Sequence, residues 1–268
     1  MEIIDWKQFL LPYEQTVEEL MAKFKNIKNQ YKELNVHSPI EEVEGRVKRV
    51  NSILDKLSKK NFSVDQVEQK LEDIAGIRII CRFVEDIEKV VKMLRNRDGF
   101  DLTINEERDY ITNIKPSGYR SYHVLITYPI MNTLGRSDIK AEIQIRTISM
   151  DFWAKIEHSL RYKYSNHMPD DLQSRLISAA EAAFTLDNEM STIRHEILEA
   201  QEVIKMKADL VEVIVENIRK LHTLAKVENI NQINKDFITL YSEGSIEEFI
   251  EFDKQLKVMI ELYKLEHM

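Results

Sequence analysis

The sequence predicts an α+β fold, a mixed central sheet flanked by helices and followed by long C-terminal helices. Three observations carry this. Apolar and polar residues alternate over residues 77–83 and again over 139–146, the period of strands with one buried face. Apolar residues recur every three or four positions near the N-terminus, at Val17, Leu20, Phe24, Ile27, Tyr31 and Leu34, which on a helix form one stripe. From Leu172 to Ala200 the apolar steps alternate between four and three, a heptad seam that needs a second helix or a second subunit to cover it.

The elements follow in order. A first helix is predicted over residues 5–34, then a loop with Ser38 and Pro39, with Gly45 preceding a lysine-rich helix over 50–60 that turns Ile53, Leu54 and Leu57 inward. The strand at 77–83 leads to a helix over 86–97, a strand over 100–108, a polar glycine-containing loop, a strand over 121–128 and the strand at 139–146. Leu210, Ile214, Ile218 and Leu221 predict a further helix after the heptad seam, and residues 245–266 a last one after Gly244. Six glycines and five prolines mark no flexible linker.

The bulk properties narrow the function. With 268 residues, 43% hydrophobic and 31% charged, the chain can bury a substantial core. Its apolar runs are short and broken by charges, and its first residues lack the pattern of a signal peptide, so a cytoplasmic location is expected. The single cysteine, Cys81, sits in an apolar run and reads as a buried thiol. A net charge of -8 disfavours an extended nucleic-acid interface or an anionic membrane surface and leaves small anionic ligands as the better fit.

The chemistry concentrates on the polar faces of the central strands. These carry Arg78, Arg82, His123, Glu142, Gln144 and Arg146, which converge if the strands are neighbours; a solvated face with surface ion pairs is the plain alternative. Around a predicted helix start, Arg46, Lys48, Ser52 and Lys56 suit a polyphosphate. Asp73 stands at the mouth of a strand beside Gly76 and Arg78. The segment from Lys115 to His123 combines cations, Gly118 and Tyr119, a ring able to stack on a base.

These segments, as GRVK with SILDK, EDIAGIRIICRF, KPSGYRSYH, and EIQIRT followed by FWAKIEHSLRYKY, resemble the synthetase domain of the Rel/Spo homologue superfamily, and most of all its small alarmone synthetases. The resemblance covers roughly residues 1–200, with residues 201–268 expected as a helical extension. It implies a nucleotidyltransferase-like sheet and a Mg2+-dependent transfer of pyrophosphate from ATP to the 3′-hydroxyl of GTP or GDP. It implies that Arg46 and Arg78 flank adenine and that Lys48, Ser52 and Lys56 serve the ATP phosphates. Asp73 would ligate magnesium, and Glu142 would orient or deprotonate the hydroxyl and share the metal. Tyr119 would stack on guanine, with Arg108, Lys115, His123 and Gln144 on the acceptor side. A homotetramer is expected. Trp153 with His158 reads as helix packing. The sequence contains no His-Asp pair of the kind that marks hydrolase-bearing relatives, so no degradation of the product is expected. Two rivals share the scaffold, a tRNA 3′-end pyrophosphokinase and a non-catalytic nucleotide- or RNA-binding regulator. The acids Glu41, Glu42, Glu44 and Asp151 are expected to repel a polyphosphate from their neighbourhood.

Overall fold

The structure is a computed structural model and describes residues 5–133, 135–163, 169–224 and 227–266. The chain forms two compact units, Met1–Ser191 and Thr192–Met268.

The first unit is built on a five-stranded sheet of order β1-β2-β5-β4-β3. Its strands are β1 (Glu42–Val47), β2 (Ala75–Cys81), β3 (Thr103–Asp109), β4 (Tyr122–Asn132) and β5 (Gly135–Thr147). Only β2 and β5 run parallel; the other pairs are antiparallel, so the sheet is mixed as predicted. One face is apolar. Ile77, Ile79, Val124, Ile126, Ile143 and Ile145 are buried there in one core with Leu20 and Phe24 of α1 (Trp6–Glu33) and with Val90 and Leu94 of α4 (Val84–Arg95). Cys81 is buried in the same core, and burial pushes its thiol far above the ordinary range, so it stays protonated.

The segment around Gly45 differs from expectation. It is the edge strand β1, and only after it does α2 (Val50–Lys59) begin, so Gly45 and Arg46 sit on a strand and Lys48 follows it. The reason lies in packing: a Cβ on Gly45 would meet Met21 Sδ at 2.4 Å and Val17 Cγ1 at 2.6 Å, and glycine lets α1 cross β1 closely. A short 3-10 turn (Val64–Gln66) and α3 (Val67–Lys70) come before β2 and were not foreseen.

After β5, α5 (Ile148–Lys163) buries Trp153, whose Nε1 donates to Leu176 O at 2.9 Å, while His158 is exposed and does not pack. Tyr164, the last residue of the predicted motif, lies outside the described residues. The two helices expected over 172–200 and around 210–221 are one continuous helix, α6 (Asp170–Leu224).

Within the second unit, the end of α6 packs with α7 (Val227–Glu243) and α8 (Ile246–Glu266) around Ile214, Ile218, Leu221, Phe249, Leu256 and Ile260. The buried Asn217 donates to Asp253 Oδ1 at 2.8 Å. α7 was not predicted; α8 was. No helix among the described residues is long and apolar enough to cross a membrane.

Candidate active site

Strand register lines up the polar face. Glu44 on β1 stands opposite Arg78 on β2, Arg78 opposite Gln144 on β5, Gln144 opposite His123 on β4, and His123 opposite Arg108 on β3. One row of charged and polar residues therefore crosses the whole sheet. The next row runs Arg46, Gly76, Glu142. Gly76 leaves space between Arg46 and Glu142, since a Cβ there would lie 3.8 Å from Arg46 Cγ. Arg82 falls just past β2 and pairs with Glu41 instead.

Arg46, Asp73, Gly76, Arg78, Glu142 and Gln144 line one cavity of about 450 Å³, with Met21 and Val43 at its apolar side. Cations, three carboxylates, with Glu44 the third, and an apolar wall in one pocket suit a nucleotide better than a solvated surface does.

Asp73 is gripped from one side. Lys48 and Lys56 both donate to its Oδ2, Lys56 at 2.7 Å, while Oδ1 is buried without a hydrogen-bond partner. Burial pushes the Asp73 carboxyl up, and the hydrogen bonds and charges of the two lysines outweigh this and hold it below the ordinary carboxylate range. Burial also depresses Lys48, against the pull of Asp73.

Glu142 receives two donors. His123 Nδ1 lies 2.9 Å from its Oε1, and Gln144 Nε2 donates to its Oε2 at 2.7 Å. Burial raises the Glu142 pKa; the hydrogen bonds from His123 and Gln144 turn the balance downward. It is therefore ionised at neutral pH. The orphaned Asp73 oxygen and the ionised Glu142 on the same cavity wall fit a hard divalent cation such as magnesium, which takes one or two carboxylates and completes its shell with phosphate oxygens and water.

Tyr119 lies beside this pair. Its Oη is 2.8 Å from His123 Nε2, and its ring meets the imidazole edge to face with centroids 5.8 Å apart. Lys115 Nζ sits 4.9 Å from the Tyr119 centroid and 3.9 Å from that of Tyr110. Arg108 is engaged by Glu106 and, at 3.3 Å, by Glu72. Ser52 is exposed on α2 and is not part of the cavity wall.

Tyr110 and Lys155, also at the site, were missed by sequence reasoning. Tyr110, edge to face with His123 at 5.0 Å, lies just past β3, where an aromatic after a strand was the available signal. Asp151 of α5 sits 3.3 Å from Arg78 Nε and 3.6 Å from Arg146 Nη1. Lys155 bridges Asp151 at 2.8 Å and Glu44 at 2.9 Å. Glu44 itself accepts from Arg78 at 2.7 Å. Glu41, Glu44 and Asp151, expected to repel a polyphosphate, are thus paired with cations of the chain, and of these pairings only Asp151 with Lys155, four apart on a helix, is signalled by spacing.

Residues 45–167 match the family model described as the region found in RelA / SpoT proteins. GTP pyrophosphokinase YjbM of Bacillus subtilis (strain 168) is 49% identical over 207 residues, 77% of this chain and 97% of that protein. GTP pyrophosphokinase YwaC of the same strain is 44% identical over 195 residues, 72% of this chain and 92% of that protein. The crystal structure of small alarmone synthetase 1 from Bacillus subtilis bound to its product pppGpp superposes with a TM-score of 0.69 at 50% identity, covering 72% of this chain and 98% of that one. Family match, sequence identity, superposition and near-complete coverage of these relatives agree: the chain belongs to the RelA/SpoT family, among its small alarmone synthetases.

Proposed function

We propose that this protein is a GTP pyrophosphokinase that transfers the β,γ-pyrophosphoryl group of ATP to the 3′-hydroxyl of GTP or GDP, giving pppGpp or ppGpp and AMP. The observation that carries it is the cavity in which Asp73 and Glu142 share a wall with Arg46 and Arg78, in a chain with family-wide similarity to such enzymes.

Each group has work suited to its setting. Arg46 and Arg78 come from adjacent strands, where two guanidinium planes can flank the adenine. Lys48 and Lys56 meet the ATP phosphates beside Asp73. Tyr119 and Lys115 receive the guanine end, and Arg108 and His123 the acceptor phosphates. Asp73 and Glu142 would hold Mg2+, which when bound neutralises charge on the transferring phosphates.

The acceptor hydroxyl attacks the β-phosphorus while the bond from that phosphorus to the oxygen of AMP breaks. Phosphoryl transfer has a loose transition state in which positioning and electrostatics dominate. An ionised carboxylate below the usual pKa range is a modest base but a firm hydrogen-bond acceptor. Glu142 aligns the hydroxyl and takes its proton as the new P–O bond forms. Its oxygens keep lone pairs free after accepting from His123 and Gln144.

We further propose a homotetramer. Leu186, Met190, Ile193 and Ile197, on the predicted heptad seam of α6, are all exposed in the single chain, which a second copy would correct.

The test is incubation with ATP labelled at the β-phosphate, magnesium, and either a guanosine nucleotide or tRNA, followed by chromatography. Label on the nucleotide with equimolar AMP is expected. Label on tRNA alone, or no transfer, would overturn the reading.

A further inference from the structure

We propose that Arg146 is a positioning residue that sets the hydrogen-bond direction of both side chains holding Glu142. This rests on the reading of Glu142 given above and extends it to a residue that touches no substrate.

Arg146 lies on β5 two residues past Gln144 and is buried to within 3% of full coverage. Its Nη2 donates in two directions, to Tyr119 Oη at 3.0 Å and to Gln144 Oε1. A guanidinium only donates. On one branch, Tyr119 Oη accepts from Arg146 and has its own proton left for His123 Nε2, 2.8 Å away. With that proton turned to it, His123 Nε2 is the acceptor, and the imidazole carries its proton on Nδ1 and donates to Glu142 Oε1. On the other branch, Arg146 takes the carbonyl oxygen of Gln144, which turns the amide nitrogen toward Glu142 Oε2. The two branches leave one guanidinium and meet on the two oxygens of one carboxylate.

Without Arg146, both orientations rest on the Glu142 carboxylate alone. The Tyr119 hydroxyl is then free to rotate, and nothing on the far side of His123 or Gln144 opposes a tautomer exchange or an amide flip. Asp151 Oδ1, 3.6 Å from Arg146 Nη1 and 3.3 Å from Arg78 Nε, keeps the buried guanidinium neutralised from the α5 side. Arg146 thus fixes the base through its partners.

The test reads geometry and kinetics separately. The 15N spectrum of histidine-labelled protein without nucleotide reports the tautomer of His123, and Nδ1–H with an acceptor Nε2 is expected. Arg146→Gln should lose that signature. It should also lower kcat about a hundredfold, the scale of a displaced catalytic group, with the KM for ATP changed less than threefold. In the Arg146→Gln background, Tyr119→Phe should cost less than a further twofold, because both changes cut the same branch. Should Arg146→Gln not fold, Tyr119→Phe decides alone: it keeps the ring and should change the Nε2 signal and lower kcat. An Nε2–H tautomer in the unaltered protein, an unchanged spectrum in the variants, or fully additive losses would each overturn the proposal. Absence of transfer by the unaltered protein would instead overturn the synthetase reading, leaving the spectrum to be judged separately.

Discussion

Gly118 lies against Ala180 of α6 so closely that a Cβ on the glycine would sit 2.7 Å from the alanine Cβ. The glycine also has φ +83°, a conformation that L side chains avoid. Sequence neighbours place Lys115 and Tyr119 in the same turn, closed by Gly118 N donating to Lys115 O at 2.8 Å. The helix therefore seats the loop that carries the acceptor-side groups.

Gly118→Ala should strain this turn by about 1–3 kcal/mol and displace Tyr119. The expected outcome is a KM for the guanosine nucleotide raised about tenfold, equivalent to roughly 1.4 kcal/mol, with the KM for ATP little altered. Ala180→Leu should act in the same direction from the other side of the contact. Unchanged acceptor kinetics in both variants would separate the loop from acceptor binding.

Asp73→Asn should act differently, through the metal and the lysines. One oxygen of Asp73 neutralises Lys48 and Lys56, and the other is buried without a hydrogen-bond partner. The variant is expected to need several-fold more magnesium for half-maximal rate and to bind ATP less productively. A magnesium titration at saturating acceptor measures this. A curve that superposes on that of the unaltered protein would remove Asp73 from the metal site.

Acid stability supplies an independent check on the fold. Asp101 accepts from Lys23 at 2.6 Å and from Arg97, tying α1 to the segment after α4. Burial raises its pKa, and the hydrogen bonds and charges of Arg97 and Lys23 lower it further than burial raises it. A carboxyl whose folded pKa is depressed contributes stability above its unfolded value of about 3.9, and that contribution is lost as pH falls through the folded value. Asp101→Asn should therefore be less stable than the unaltered protein at pH 7, by at most about 1 kcal/mol for a pair this exposed. The gap should close below about pH 4. Denaturant unfolding at the two pH values measures it, and a gap that widens in acid would contradict the assignment.

What the sequence reveals of this molecule follows from where one face is buried. β2 and β5 alternate cleanly because Ile77, Ile79, Ile143 and Ile145 point into the core, and the same alternation exposes Arg78, Glu142 and Gln144 on the other side. β1 gives no such signal. It is a charged edge strand of six residues with a glycine in it, a composition that reads as a loop. α7 carries Ile230, Ile233, Phe237 and Leu240 at helical spacing, and Ile204 and Val211 carry the α6 seam onward with only Lys207 breaking it, so the extra helix and the continuity of the long one are both legible in the periodicity, although neither is among the elements predicted above. Apart from Lys155, the partners of the acids are hidden for another reason. Asp151 meets Arg78 only because α5 folds back beside β2, a relationship between residues far apart in sequence.

Glu142 is the residue on which the proposed transfer depends most directly. Steady-state kinetics of Glu142→Gln, with circular dichroism to establish the fold, is the most direct measurement. The glutamine keeps the shape and removes the charge and basicity. The account predicts a kcat lowered by about 10²- to 10⁴-fold, with the KM values for ATP and for the guanosine nucleotide changed far less and the fold intact. A variant that folds and keeps more than about a tenth of the kcat, less than the loss of a general base would allow, would contradict it and reduce Glu142 to a structural partner of His123 and Gln144.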